Sequence, residues 1–150
     1  MEEKRISRNL IVTTNKLKRL LDKRYKKNGL YVGQARLLSY LYRNKDSTIF
    51  QKDIENTFEI RGGTVTSLID SLVSLNYIKR VESEIDKRKR KILLTAEGEE
   101  QAGKCIDIIN NIESMLANEL TADEKEVFNT IMDKINIILD EEESKWENYL

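Results

Sequence analysis

Not one of the 150 residues is proline. Proline is the strongest helix breaker, because its ring removes a backbone donor and collides with the preceding turn. A chain rich in Leu, Ile, Lys and Glu and free of that break is expected to be mainly α-helical. Its length fits one domain, residues 1–150, with a sizeable core.

Apolar residues recur at helical spacing in six stretches. The first runs from about Ile6 to Tyr25, with Ile6, Leu10, Leu17, Leu20 and Leu21 along one side, and Asn28-Gly29 closes it. A short second helix follows Gly33, striped by Ala35, Leu38, Leu41 and Tyr42. Gln51 to Phe58 gives a third with Ile54 and Phe58 inward, and Arg61-Gly62-Gly63 reads as the break after it. Thr64 to Leu75 gives a fourth, burying Val65, Leu68, Ile69, Leu72 and Val73 and presenting Thr66, Ser67, Asp70, Ser71 and Ser74. Two short helices around a tight turn, the second with a small polar face, form a helix-turn-helix pattern.

The period then falls to two. Tyr77 to Val81 and Lys91 to Leu94 read as strands, and Glu82 to Arg90 as their loop. A hairpin in that place is a wing. Thr95 is placed to cap a fifth helix, from Ala96 to about Leu116, with Ala102, Cys105, Ile106, Ile109 and either Ile112 or Leu116 inward. Thr121-Ala122-Asp123-Glu124 is a capping box. It opens a sixth helix striped by Val127, Phe128, Ile131, Ile135, Ile138 and Leu139, and the chain ends through Trp146, Tyr149 and Leu150.

The formal net charge of zero hides a divide. Residues 1–95 hold 22 Lys+Arg against 11 Asp+Glu, a net of +11, and residues 96–150 hold 4 against 15, a net of −11. The densest basic run, Lys87-Arg88-Lys89-Arg90-Lys91, lies in the wing. A polyanion would be drawn to one end of such a molecule and repelled by the other.

Several functions are disfavoured. With no histidine there is no imidazole base and no histidine metal ligand. No metal site and no cofactor is expected, and no glycine-rich phosphate loop is present. An enzyme is not expected. One cysteine, Cys105, excludes an internal disulfide and suits a reducing cytoplasm. It lies on an apolar stripe and reads as core. No apolar run is long enough for a membrane span, and the N-terminus does not read as a secretory signal.

Between Gly33 and Gly98 stand, in order, Gln34-Ala35-Arg36-Leu37-Leu38, Gln51-Lys52-Asp53-Ile54, Thr64-Val65-Thr66, Leu68-Ile69-Asp70-Ser71-Leu72, Tyr77-Ile78-Lys79-Arg80, Asp86-Lys87-Arg88-Lys89-Arg90 and Leu94-Thr95-Ala96-Glu97-Gly98. In these residues the chain resembles the MarR family of winged helix-turn-helix transcriptional regulators. The basic wing followed by Leu-Thr-x-x-Gly is the most specific piece. The flanking helices match in number, length and amphipathicity only. Two departures stand out: Arg61-Gly62-Gly63 where relatives carry a Ser or Thr cap, and Phe50 where they often carry Thr or Ser.

The resemblance implies a mainly α fold of about six helices with a two-stranded wing. Residues 33–98 would form the DNA-binding lobe, and 1–28 with 99–150 the dimerisation helices. It implies a homodimer, a double-stranded DNA partner, and an operator that is pseudo-palindromic. Base reading falls to Arg61, Thr64, Thr66 and Ser67, against the alternative that these threonines only cap or solvate their helix. Lys87, Arg88, Lys89 and Arg90 would follow the minor groove, with Asp86 orienting Arg88 or Arg90. Dimer contacts are expected from Ile6, Leu10, Ile131, Ile135, Ile138 and Trp146. The apolar stripes agree independently, since no further element is left to cover them. The family's effectors are often small aromatic or amphipathic molecules, and Tyr25, Tyr31, Tyr40 and Tyr42 lie near the expected pocket. The other class of reading is a winged-helix interaction module whose basic wing docks an acidic protein.

Overall fold

The computed structural model describes residues 5–147. Its elements run α1 (Ile6–Lys26), α2 (Val32–Arg43), α3 (Gln51–Phe58), α4 (Gly62–Ser74), β1 (Ile78–Glu82), β2 (Arg90–Leu94), α5 (Ala96–Asn118) and α6 (Ala122–Glu147). Six helices and a two-stranded antiparallel sheet are those the hydrophobic period predicts. Tyr149 and Leu150 lie outside the described residues. The chain divides into two compact units, and the boundary between Ile109 and Asn110 falls inside α5.

The core of the first unit is built where the stripes of the short helices converge. Ala35, Leu37 and Leu38 of α2, Ile54 of α3, Val65, Ile69 and Leu72 of α4, Ile78 of β1 and Ile92 of β2 are all buried. Each Val, Leu or Ile side chain among them contributes about 1.5–3 kcal/mol relative to exposure. Two polar residues join this core with their groups satisfied. Gln34 donates from Nε2 to Ser71 Oγ at 3.2 Å, which ties α2 to α4. Ser39 donates to the carbonyl of Ala35 at 2.8 Å.

β1 and β2 pair from Ile78 with Leu94 to Glu82 with Arg90. The sheet gains a rudimentary third member that periodicity does not reveal. Phe50 bridges Lys91, and the Ile92 amide donates to the carbonyl of Ile49 at 2.8 Å. The residues leading into α3 are thereby fastened to the base of the wing.

The break between α3 and α4 is not where the glycines suggest. Glu59 takes the left-handed conformation at φ 52° and ends α3. Arg61 is extended at φ −67°, ψ 146°, and Gly62 and Gly63 already form the first turn of α4. The two glycines sit inside the helix because the turn is completed before them. Asp53 secures the start of α3, accepting the Phe50 amide at 2.8 Å, which is the half of a capping box that needs no hydroxyl.

The second unit holds the end of α5 and the whole of α6. The expected capping box is formed in full. Thr121 N donates to Glu124 Oε1, and Glu124 N to Thr121 Oγ1, both at 3.1 Å. Hydrogen bonding from the Thr121 amide, and secondarily from its hydroxyl, holds the Glu124 carboxyl below its usual range. Of Ile112 and Leu116, Ile112 is the buried one and Leu116 is exposed. No described residue of α6 is buried, so its apolar stripe lies open in the single chain. The stripe of α1 behaves similarly: Leu21 is buried, Leu20 is half-buried, and Ile6 and Leu17 are exposed.

Candidate nucleic-acid interface

Burial of Val65, Ile69 and Leu72 fixes the rotation of α4 about its axis. Arg61, Thr64, Thr66 and Ser67 consequently all face solvent at its N-terminal end. The hydroxyls are engaged locally. Thr66 Oγ1 donates to the Gly62 carbonyl at 3.0 Å, and Ser67 Oγ donates to the Gly63 carbonyl at 3.1 Å. Thr66 Oγ1 also accepts a bond from Gln51 Nε2 at 2.9 Å, and the same Nε2 lies 3.3 Å from Glu55 Oε1. Lys52 pairs with Glu55 at 3.2 Å. With their protons directed at carbonyls, these hydroxyls offer a ligand lone pairs and, at Thr66, a methyl group.

The wing meets this helix through an ion pair. Arg80 of β1 donates from Nη2 to Asp70 Oδ1 of α4. Beyond it, the loop of residues 83–89 is closed by its own bonds. The Ser83 amide donates to the Lys89 carbonyl at 2.9 Å, and the Lys89 amide to the Asp86 carbonyl at 3.0 Å. Asp86 Oδ1 accepts from the Arg88 amide at 3.0 Å and stands 3.4 Å from Arg88 Nε. Of the two arginines weighed for Asp86, the described contact goes to Arg88. Lys87, Arg88, Lys89 and Arg90 are all exposed.

Between the wing and the start of α3 lies a cleft of about 480 Å³, lined by Phe50, Lys52, Asp53, Arg80, Arg88 and Arg90 among others. Lys89 Nζ lies 5.8 Å from the Phe50 ring centroid. The structure thus brings together the polar end of α4 and the wing cations. It adds Gln51, Lys52, Asp70 and Arg80 to them. Asp70 and Arg80 stand within the matched motifs, but a separation of ten residues across a chain reversal carries no periodic signal of their contact.

A second cavity in the same unit, of about 410 Å³, is lined by Tyr25, Arg36, Tyr40, Arg43, Phe58 and Ile109 among others. Arg36 Cζ sits 4.8 Å from the Phe58 centroid, and Tyr40 meets that ring edge-on at 5.3 Å. Burial, reinforced by the neighbouring Cys105, raises the Tyr25 hydroxyl above its ordinary pKa, and Arg43 opposes the shift. Of the four tyrosines expected at a pocket, Tyr25 and Tyr40 line this one. Tyr31 and Tyr42 are not among its lining residues: Tyr31 is exposed, and Tyr42 lies under Lys45 at 4.7 Å.

The residues expected at a dimer contact lie on the open stripes. Ile6 and Trp146 are each 70% exposed, Ile131 and Ile138 are exposed, and Leu10 and Ile135 are half-covered. Among the described residues no group of three or more acidic or cysteine side chains is arranged to hold a metal ion. None of the described helices is long and apolar enough to cross a membrane.

A helix-turn-helix followed at once by a hairpin, with the polar helix face and the cations of the hairpin in one unit, defines a winged helix-turn-helix protein. Residues 28–89 match a family model described as MarR family. The HTH-type transcriptional regulator PapX of Escherichia coli is 29% identical over 99 residues, which are 66% of this chain. The chain spans 60% of the length of that relative. The structure is similar to that of Staphylococcus aureus MepR in a DNA complex, with a TM-score of 0.86 and 24% identity over 91% of this chain and 99% of the other. It is also similar to a mutant of Escherichia coli MarR complexed with operator DNA, with a TM-score of 0.76 and 22% identity over 87% and 92%. The family model thus covers residues 28–89, and the fold is similar to those of MepR and MarR.

Proposed function

We propose that this chain binds operator DNA as a homodimer in the cytoplasm and represses transcription until an effector releases it. One observation carries the DNA reading. The solvent face of α4 and strand β1 of the basic wing are joined by the Asp70–Arg80 pair. A duplex engaging one is met by the other. Arg61, Thr64, Thr66 and Ser67 then read base edges in the major groove, and Lys87 to Arg90 follow the backbone into the adjacent minor groove. That MepR and MarR are described as DNA complexes supports the same reading.

The homodimer is supported by the open stripes of α1 and α6, which surround residues 33–98 in sequence. Two lobes related by a twofold axis would present two α4 helices to successive major grooves, about 34 Å apart, and so favour a pseudo-palindromic site. The cavity beside Tyr25 and Tyr40, with Arg36 and Arg43 at its wall, has the chemistry for a small aromatic or amphipathic effector.

Titration of labelled promoter duplex across salt concentrations tests the proposal. Wild-type affinity is expected to fall steeply with salt. Replacing Arg88 and Arg90 by Ala should reduce the slope of log affinity against log salt by about 1 for each lost phosphate contact. Unchanged affinity in the double variant would favour an acidic protein partner instead.

A further inference from the structure

The wing ends in an apolar side chain that the fold does not use. Ile85 is 99% exposed, against 70% for Ile6 and Trp146, the next most exposed large apolar residues among those described. Its outward position is built. Ser83, buried to 4%, accepts the Ile85 amide on Oγ at 3.3 Å and donates its own amide across the loop to Lys89. On the other side Asp86 accepts the amides of Arg88, on its carboxylate, and Lys89, on its carbonyl. Two turns therefore grip the loop on either side of position 85, and the side chain between them is turned out.

Folding stability does not account for this residue, since an isoleucine left in water gains nothing from folding. Its neighbours indicate what it meets. Glu84 and Asp86 flank it, Asp86 is bonded to Arg88, and five consecutive cations, Lys87 to Lys91, follow Asp86. A duplex minor groove has phosphates along its rims and hydrocarbon deoxyribose along its walls, and apolar residues inserted there partly unstack a base step. A projecting aliphatic residue on a loop whose next residues are a run of cations, with the intervening Asp86 engaged by Arg88, matches that cross-section.

We propose that Ile85 is the apolar tip by which the wing enters the minor groove, packing on deoxyribose while Lys87 and Arg88 hold the flanking phosphates. The proposal rests on the DNA reading above. It assigns the tip a contribution that salt does not screen, because no counterion is released on burying hydrocarbon. It also favours sites with a flexible pyrimidine–purine step under the tip, where widening the groove costs least.

The test compares wild type, Ile85→Ala, Ile85→Val and Arg88→Ala on one duplex selected by the wild-type protein, between about 50 and 300 mM salt. Ile85→Ala is expected to weaken binding by about tenfold at every salt concentration with the slope unchanged. Ile85→Val should recover most of that loss, and Arg88→Ala should lower the slope by about 1. Thermal melts of the Ile85 variants should match wild type, since the residue is outside the core. If wild type binds and Ile85→Ala binds as tightly, the apolar tip is refuted and the DNA reading stands. If wild type ignores duplex even at the lowest salt, the DNA reading fails and this proposal with it.

Discussion

Cys105 shows what a single buried residue does to the pH behaviour of the protein. Its thiol has no solvent exposure, and burial pushes its pKa up to about 11 from an ordinary value near 9. Folding therefore favours the protonated form. The associated stability is present in full below pH 9 and is lost as pH rises through 11. Wild type should lose on the order of 2–3 kcal/mol more than Cys105→Ala between those limits, as read by denaturant titration. At neutral pH the native thiol should react with iodoacetamide far more slowly than a free cysteine, because its thiolate is scarce. The apolar stripe of α5 already marks Cys105 as core. The contacts of Gln51 with Thr66 and of Asp70 with Arg80 have no such mark, since each joins residues on separate elements whose angle the sequence does not encode locally.

At the scale of the element, α4 departs most from its sequence pattern. Gly62-Gly63 reads as a break because glycine weakens helices, yet the residue that reverses the chain is Glu59, at φ 52°. Nothing in glutamate advertises a left-handed position. A Cβ at Gly63 would meet nothing within 4 Å, and φ there lies outside the positive range that disfavours side chains. Gly63→Ala should therefore stabilise the protein by roughly 0.4–1 kcal/mol through lower unfolded-state entropy, measurable as a higher urea midpoint at constant m-value. A drop in stability would mean that the first turn of α4 is not helical as described. Elements with strong amphipathic period, α1, α5 and α6, agree with the pattern to within a few residues. The short tie of Phe50 to Lys91 does not show, because a single bridge leaves no period.

At the scale of the molecule, the two ends of the chain differ in charge, and both carry open apolar stripes. The acidic half comprises α5 and α6, and the apolar stripe of α6 is open. The sequence contains this imbalance plainly, as stripes with nothing left to bury them, but not the geometry of what covers them. If a second copy does, Ile135→Glu with Ile138→Glu places two carboxylates in a dry interface. The dimer dissociation constant should then rise by more than about a hundredfold, as judged by sedimentation equilibrium. An unchanged mass would exclude this face as the dimer contact.

The root of the wing carries a clasp of its own. Thr95 donates from Oγ1 to the Asn76 carbonyl at 2.7 Å and from its amide to the Tyr77 carbonyl at 3.0 Å, and it accepts the Gly98 amide at 2.9 Å. A Cβ at Gly98 would stand 1.8 Å from that Tyr77 carbonyl oxygen, so no larger residue fits there. The hairpin thus takes its bearing from the first turn of α5. It is a blade fixed in its handle, and a position with no side chain at all sets the angle at which it cuts.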